Sequence, residues 1–449
     1  MPSGNANDSS GQPAGGATVR SASRLRLAIR SLRHRNFRLF FGGQLISLIG
    51  TWMQNIAQAW LVYRLTGSSL LLGIVGFASQ IPVFILAPIG GAVADRHNRH
   101  RVVIGTQTAS MVLAFILAAL TLGRVVQVWH IMVLAALLGV VNAFDIPARQ
   151  AFIVEMVGKE DLMNAIALNS SMFNGARIIG PAVAGVLVAS IGEGWCFFAN
   201  AVSYIAVIVG LLLMQVERVR RVLETSPLEH IIEGFRFVRR TMPIRDLLLL
   251  LGLVSLVGMP YSVLMPIFAD KILHSGARGL GILMGASGVG ALIGALMLAA
   301  KSGVRGLGRW VAVSTAAFGI TLILFSWSQL LWLSSLMLVP VGLAMMVQMA
   351  SSNTLIQAMV PDELRGRVMA VYSMMFMGMA PLGALFAGVL ADRLGAPLTL
   401  SIGAVACLAG AAVFWQRLPA LRVEARQLII AQAAGGGEPA EQTTARSIS

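Results

Sequence analysis

"GGAVADRHNRHR", residues 90–101, separates two long oily stretches with one acid, two histidines and three arginines. A metal site, a nucleic-acid patch and a hinge between membrane spans would each use such residues, and the rest of the chain separates these readings. Of its 449 residues, 57% are hydrophobic and only 12% charged, about half the charged share of a soluble domain. Apolar windows of about 20 residues recur along most of the length, each enough to cross a bilayer core of about 30 Å. The composition predicts an all-α polytopic membrane protein, since a helix satisfies its own backbone polar groups in lipid.

Apolar length and polar interruptions divide the chain into twelve transmembrane spans. The first six have cores at 39–63, 70–94, 102–122, 130–148, 166–191 and 195–214. The second six lie at 246–268, 279–300, 309–327, 330–350, 367–391 and 397–415. This gives an N-terminal tail (1–37), a six-helix bundle (38–214), a linker (215–245), a second bundle (246–415) and a tail (416–449) expected to be unstructured. The opening tail is polar and then Arg-rich, without the apolar stretch and cleavage site of a removable signal peptide.

The net charge of +15 is spread through the gaps between spans rather than gathered into a nucleic-acid patch. All but six of the 34 Lys and Arg residues fall on the side that carries both termini; Arg64, Arg124, Lys271, Arg278 and Arg393 lie in the opposite gaps and Arg177 within span five. The positive-inside rule therefore predicts cytoplasmic termini. Heavy Ala, Gly and Arg usage fits a GC-rich bacterial genome, so the cytoplasmic (inner) membrane is the expected location. In the linker, "PLEHIIEGFRFVRR" sets Ile231, Ile232, Phe235 and Val238 on one helical side. That pattern suits an amphipathic helix on the inner membrane surface, or a solvated linker helix.

The halves resemble each other. "MVGKEDLMNAIALNSSMFNGARIIGPAVAGVL" from Met156 aligns without gaps to "MVPDELRGRVMAVYSMMFMGMAPLGALFAGVL" from Met359, an offset of 203 that pairs Gly185 with Gly388. "SLIG" at Ser47 matches "SLVG" at Ser255, and "LGI" at Leu72 matches "LGI" at Leu280, both at offset 208. Ordered matches at nearly constant offset predict two pseudo-symmetric six-helix bundles.

"GAVADRHNRHR" (91–101), between spans two and three, resembles the loop signature Gly-x-x-x-Asp-Arg-x-Gly-x-Arg-Arg of the major facilitator superfamily. "GPAVAG" (180–185) resembles its exporters' Gly-Pro motif. "DIPARQAFIVEMV" (145–157), "ALNSSMFNGARIIGPAVAG" (167–185) and "VPDELRGRVMAVYSM" (360–374) are similar to the branch of enterobactin exporters and macrolide-efflux-like proteins. The resemblance implies an alternating-access carrier, export, and protons as the coupling ion. It assigns the conformational switch to Gly91, Asp95, Arg96, Asn98, Arg99 and Arg101, with Asp95 meeting the inner end of span eleven in the outward-open state. Asn98 stands where glycine is usual and His100 replaces a basic residue. Asn tolerates a left-handed turn, so the turn is expected to survive; the lost charge at 100 is expected to weaken the switch. "KSGVRGLGR", the matching loop of the second half, lacks the aspartate, which makes the switch asymmetric.

Asp145, at the inner end of span four, is a candidate partner for Arg99 or for Arg149 one turn along its own helix. A static surface ion pair is the plainer alternative for the loop. His97 and His100 have no further ligands nearby, so no metal is expected. Gln44, Thr51, Asn55 and Gln58 share one face of span one and point to a solute cavity or to interhelical hydrogen bonding. Arg177 serves an anionic substrate group or an internal pair; Ser255 and Ser262 share a face in span seven and extend the candidate cavity. Gly180, Pro181 and Gly185 allow span five to bend and approach a neighbour, or simply pack. Cys196 and Cys407 read as buried small hydrophobes.

No acid sits clearly mid-span, so proton coupling follows from the resemblance alone. The ATP-binding pattern Gly-x4-Gly-Lys-Ser/Thr is absent and no catalytic set appears; neither cofactor nor enzyme activity is expected. The chain reads as a monomeric secondary transporter exporting amphipathic or lipophilic small molecules of drug or siderophore class. A lysophospholipid carrier is the alternative within the superfamily, and a membrane-embedded enzyme the remote one.

Overall fold

The structure, a computed structural model, describes residues 30–215, 227–301 and 303–435. The first half comprises α1 (Arg35–Thr66), α2 (Ser69–Arg96), α3 (Arg99–Leu122), α4 (Val128–Gly158), α5 (Glu160–Ile191) and α6 (Glu193–Leu212). The linker helix α7 (Pro227–Arg240) leads to α8 (Met242–Ile272), α9 (Gly276–Ala299), α10 (Leu307–Ser326), α11 (Leu331–Met359), α12 (Asp362–Leu394) and α13 (Ala396–Gly435). Eleven of these helices are long and apolar enough to cross a membrane. The 32-residue α1 is also long enough, but its polar side chains lower its hydropathy.

Large apolar side chains point away from the protein: Ile85, Leu249, Ile320 and Phe386 are 51–63% exposed. That inversion of a soluble protein's pattern is what lipid solvent permits. Because lipid tails are as apolar as Leu, helices associate instead through close packing at small residues. In the first half α1 packs on α5 and α6, α2 on α4, and α3 on α4 and α6; in the second, α11 packs on α9 and α10, and α10 on α13. The halves join through α2 against α12 and α5 against α9.

The helices define a linker end, carrying α7 and the 90–101 loop, and a far end where α1 turns into α2 and α12 into α13. Several boundaries differ from the sequence reading. α4 breaks from α5 at its last residue, Gly158, at φ +69° and ψ −179°, a conformation glycine adopts without a Cβ clash. α4 therefore runs ten residues past the apolar core that ended at 148. α13 continues to Gly435, so residues 416–435 are helical rather than unstructured; 436–449 lie outside the described residues. Within α8, Val254–Gly258 and Phe268–Ile272 are π turns. These wider turns break the 3.6-residue register, so the sevenfold spacing of Ser255 and Ser262 no longer sets them on one face.

Candidate functional site

The 90–101 loop is built by two helix ends meeting head to tail. Asn98 is extended, at φ −67° and ψ 109°, and its side-chain oxygen accepts the Arg101 backbone N–H at 3.2 Å. It caps α3 and does not form the expected left-handed turn. Asn suits both roles; here the cap prevails because α3 starts at the next residue.

Arg99 is the hub, with its side chain only 10% exposed. Nη2 donates to Asp95 at 2.9 Å, Nη1 to Glu155 at 2.9 Å and the Ala151 carbonyl at 3.4 Å, and Nε to the Ala94 carbonyl at 3.1 Å. Glu155, which the sequence reading missed, takes the place proposed for Asp145. The extension of α4 past its apolar core carries it there. His100 donates from Nε2 to the Leu211 carbonyl at 2.7 Å, since a carbonyl only accepts. The imidazole thus ties the loop to the end of α6 without needing a charge. Arg96 and Arg101 are exposed. Gly90 rather than Gly91 meets a neighbour, the Ala143 carbonyl of α4, while a Cβ on Gly91 would meet nothing within 4 Å.

Asp145 lies apart from this hub. It is 4% exposed, accepts from Thr106 at 2.7 Å and Gln107 at 2.9 Å, and its other oxygen lies 3.3 Å from Arg149. It is a buried carboxylate well inside α4 and near the inner end of that helix's apolar run, 130–148.

The stripe on α1 divides. Gln44 is buried; Thr51 donates to the Ser47 carbonyl at 2.9 Å and lies 3.5 Å from the Tyr204 hydroxyl. Neighbouring Gln54 accepts from Asn200 of α6 at 2.7 Å. Thr51 and Gln54 thus link α1 to α6, whereas Asn55 is exposed and Gln58 half-buried. Arg177 lies over the Trp52 ring at 5.9 Å and has no acidic partner among the described residues. Ser255 is 1% exposed and donates to the Phe376 carbonyl of α12 at 2.5 Å, so it joins two helices instead of lining a cavity. Ser262 donates to the Met259 carbonyl at 3.1 Å in its own helix. Cys196 and Cys407 are buried and free.

At the far end the halves are sealed. A Cβ on Gly73 would lie 2.9 Å from the Gly388 Cα, and a Cβ on Gly185 2.9 Å from the Gly281 Cα. Gly180 meets α1 at Ile49 and Trp52, so the Gly180–Pro181–Gly185 stretch packs on both sides. Pro181 lacks an N–H for the carbonyl four residues back; that Arg177 oxygen faces Gly288 of α9, 3.2 Å from where its Cβ would stand. The Tyr63 hydroxyl donates to Asp270 at 3.1 Å and Lys271 to the Gly67 carbonyl at 3.4 Å, both across the halves. Arg64 adds a two-pronged contact to Glu193 at 2.7 and 3.2 Å within the first half. Nothing in local sequence marked Tyr63 or Asp270 as partners. At the linker end, by contrast, the described ion pairs stay within one half or join α7 to α12, and Asp95 remains 43% exposed.

Known proteins share this fold. Among solved structures, the nucleoside transporter NupG superposes with a TM-score of 0.66 at 14% identity, covering 86% of this chain and 99% of that one. A bacterial homolog of the human lysosomal transporter Spinster gives 0.64 at 14% identity, covering 88% and 98%. At such identity these likenesses speak to fold alone. In sequence, the staphyloferrin A transporter of Staphylococcus aureus (strain NCTC 8325 / PS 47) is 27% identical over 84% of this chain and 94% of its own length. The multidrug efflux pump Tap of Mycolicibacterium fortuitum is 28% identical over 82% and 93%, and macrolide efflux protein A of Streptococcus pyogenes 23% over 81% and 92%. Residues 27–434 match the family described as transmembrane secretion effector. The chain belongs to that family, a group of membrane transporters within the major facilitator superfamily.

Proposed function

We propose that the protein exports amphipathic or lipophilic small molecules, of drug or siderophore class, across a bacterial cytoplasmic membrane by alternating access. The observation that carries this reading is the one-sided closure. Paired glycines and Tyr63–Asp270 seal the far end, while Asp95 and the bare face of Gly91 stand open at the linker end. Two packed halves closed on one side only are one state of a rocking carrier. The linker end is cytoplasmic in this reading, because it carries most of the arginines.

In the opposite state the base of α12 closes on α2. Gly366 there also faces open space, and Arg365, now held by Asp362, is the cation available to Asp95. Asp362 and Glu363 occupy the first turn of α12, so Asp95 must dock beyond them, beside Arg365. Asn55, Gln58 and Arg177 are the polar groups offered to the cargo, set among apolar helix faces. Asp145 is the carboxylate assigned to proton exchange, since ionisable groups buried within spans mark ion pathways. Export of a siderophore or drug is favoured by the relatives' activities.

Inside-out vesicles containing the protein test this reading with a panel of lipophilic cations, macrolides and carboxylate siderophores. Uptake of at least one compound, lost on collapse of the pH gradient, is expected. No protein-dependent flux for any panel member would overturn the exporter reading, and flux indifferent to the gradient would remove proton antiport.

A further inference from the structure

A groove of about 580 Å³ lies at the linker end, lined by residues of the linker helix and the second half alone. Its walls come from α7, α8 and α12. Its lining combines the basic Arg236, Arg239 and Arg245 with the apolar Phe235, Leu249 and Met375. Neither Arg236 nor Arg239 has a carboxylate partner among the described residues, and both are exposed. Arg245 contacts Asp246 at 3.2 Å, but Asp246 is shared with Arg417 at 2.8 Å. The groove therefore carries net positive charge. Its apolar lining opens outward: Leu249 is 60% exposed, on a helix that crosses the membrane.

The α7 wall is fixed rather than loosely draped. Glu233 pairs with Arg367 of α12 at 2.6 Å, and Gly234 lies so close that a Cβ would stand 2.6 Å from the Arg367 carbonyl oxygen. A soluble anion would use the arginines and leave the apolar lining idle. A second copy of this chain would bring arginines against arginines. Only an occupant with an anionic head joined to a hydrocarbon tail matches both the basic and the apolar lining, and basic pockets between spans at the cytoplasmic surface suit such lipid heads.

We propose that this groove binds one anionic phospholipid of the adjoining leaflet, with its phosphate at Arg236 and Arg239 and an acyl chain along Phe235, Leu249 and Met375. The proposal rests on membrane insertion, not on export or its direction, so it stands or falls separately from the transport reading.

Native mass spectrometry of the full-length protein in detergent tests it, by titration with palmitoyl-oleoyl phosphatidylglycerol or phosphatidylcholine. One phosphatidylglycerol should bind ahead of the rest, and the Arg236→Gln/Arg239→Gln double variant should weaken it on the order of tenfold or more. An Arg278→Gln/Arg393→Gln variant at the far end should leave it unchanged. A phosphatidylglycerol with a photoactivatable acyl chain should crosslink to peptides containing Phe235 or Leu249. Equal phosphatidylglycerol binding by the wild type and the 236/239 variant would overturn the proposal. So would displacement by millimolar glycerol 3-phosphate with no dependence on the acyl chains, or crosslinks confined to other helices.

Discussion

Gly73 of α2 and Gly388 of α12 approach so closely that a Cβ on either would lie 2.9 Å from the other's Cα. Gly281 and Gly185 repeat the contact between α9 and α5. The two contacts are copies: Gly73 aligns with Gly281 at offset 208, and Gly388 with Gly185 at offset 203. A repeat visible in the sequence thus becomes a two-point seal, in which each half contributes one glycine helix to each contact.

That geometry makes the seal sensitive to a single methyl group. Gly388→Val forces the backbones apart, and overpacking of this kind costs about 1–3 kcal/mol. The cost falls only on the state closed at the far end, so the population should move toward the far-end-open state by roughly 5- to 150-fold. A cysteine at Ser262, in a chain with Cys196→Ala and Cys407→Ala, reports this as faster labelling by an impermeant thiol reagent added from the far side. Gly185→Val should do the same. Labelling rates unchanged in both variants would show that the seal does not set the equilibrium.

Tyr63→Phe removes one hydrogen bond to a carboxylate across the same end. Such bonds contribute about 1.5–3 kcal/mol when well shielded, and less here because Asp270 is exposed. A shift of roughly fivefold in the same direction as Gly388→Val is expected. Spin labels at Thr66 and His274 measure it as a growing long-distance population; a distance distribution identical to that of the parent would assign the tyrosine to packing alone.

The spans and the loop were legible because lipid imposes a length and a hydropathy that no soluble fold demands. The glycine pairs were half legible: the repeat aligns them, but which helix each would touch does not follow from it. Glu155 takes the place offered to Asp145 at Arg99 because α4 continues beyond its apolar run, while Asp145 keeps its other candidate partner, Arg149. Ser255 and Ser262 failed as a face because π turns leave no mark in composition. Tyr63 and Asp270 stand 207 positions apart, and one tyrosine with one aspartate carries no local signature.

Arg99 holds two carboxylates and two carbonyls at once, so its loss leaves more unpaired than the loss of either acid. Arg99→Gln should destabilise by about 1–3 kcal/mol, a buried-pair cost discounted for the partial exposure of Asp95 and Glu155. Glu155→Gln should destabilise less, and Asp95→Asn least, because Asp95 is the most exposed of the three. Apparent Tm in detergent should fall in that order. Asp95→Asn should nevertheless impair flux most relative to its Tm loss, since its larger contact is assigned to the opposite state. Flux that merely tracked Tm across all three would reduce the cluster to a structural anchor.

Asp145 tests the energy source. Its carboxylate is held by Thr106, Gln107 and Arg149 inside the first half, and Asp145→Asn removes the titratable group while leaving hydrogen-bonding atoms in place. The substitution also strands Arg149, so stability should drop, and Asp145→Asn/Arg149→Gln should recover part of it. If Asp145 carries the exchanged proton, both variants lose at least about tenfold of gradient-driven flux. Both should keep substrate exchange across vesicles at equal pH, because exchange needs rocking but no net proton movement. Recovery of driven flux in the double variant would mean that the pair serves stability only, and would send the search for a coupling site to another carboxylate.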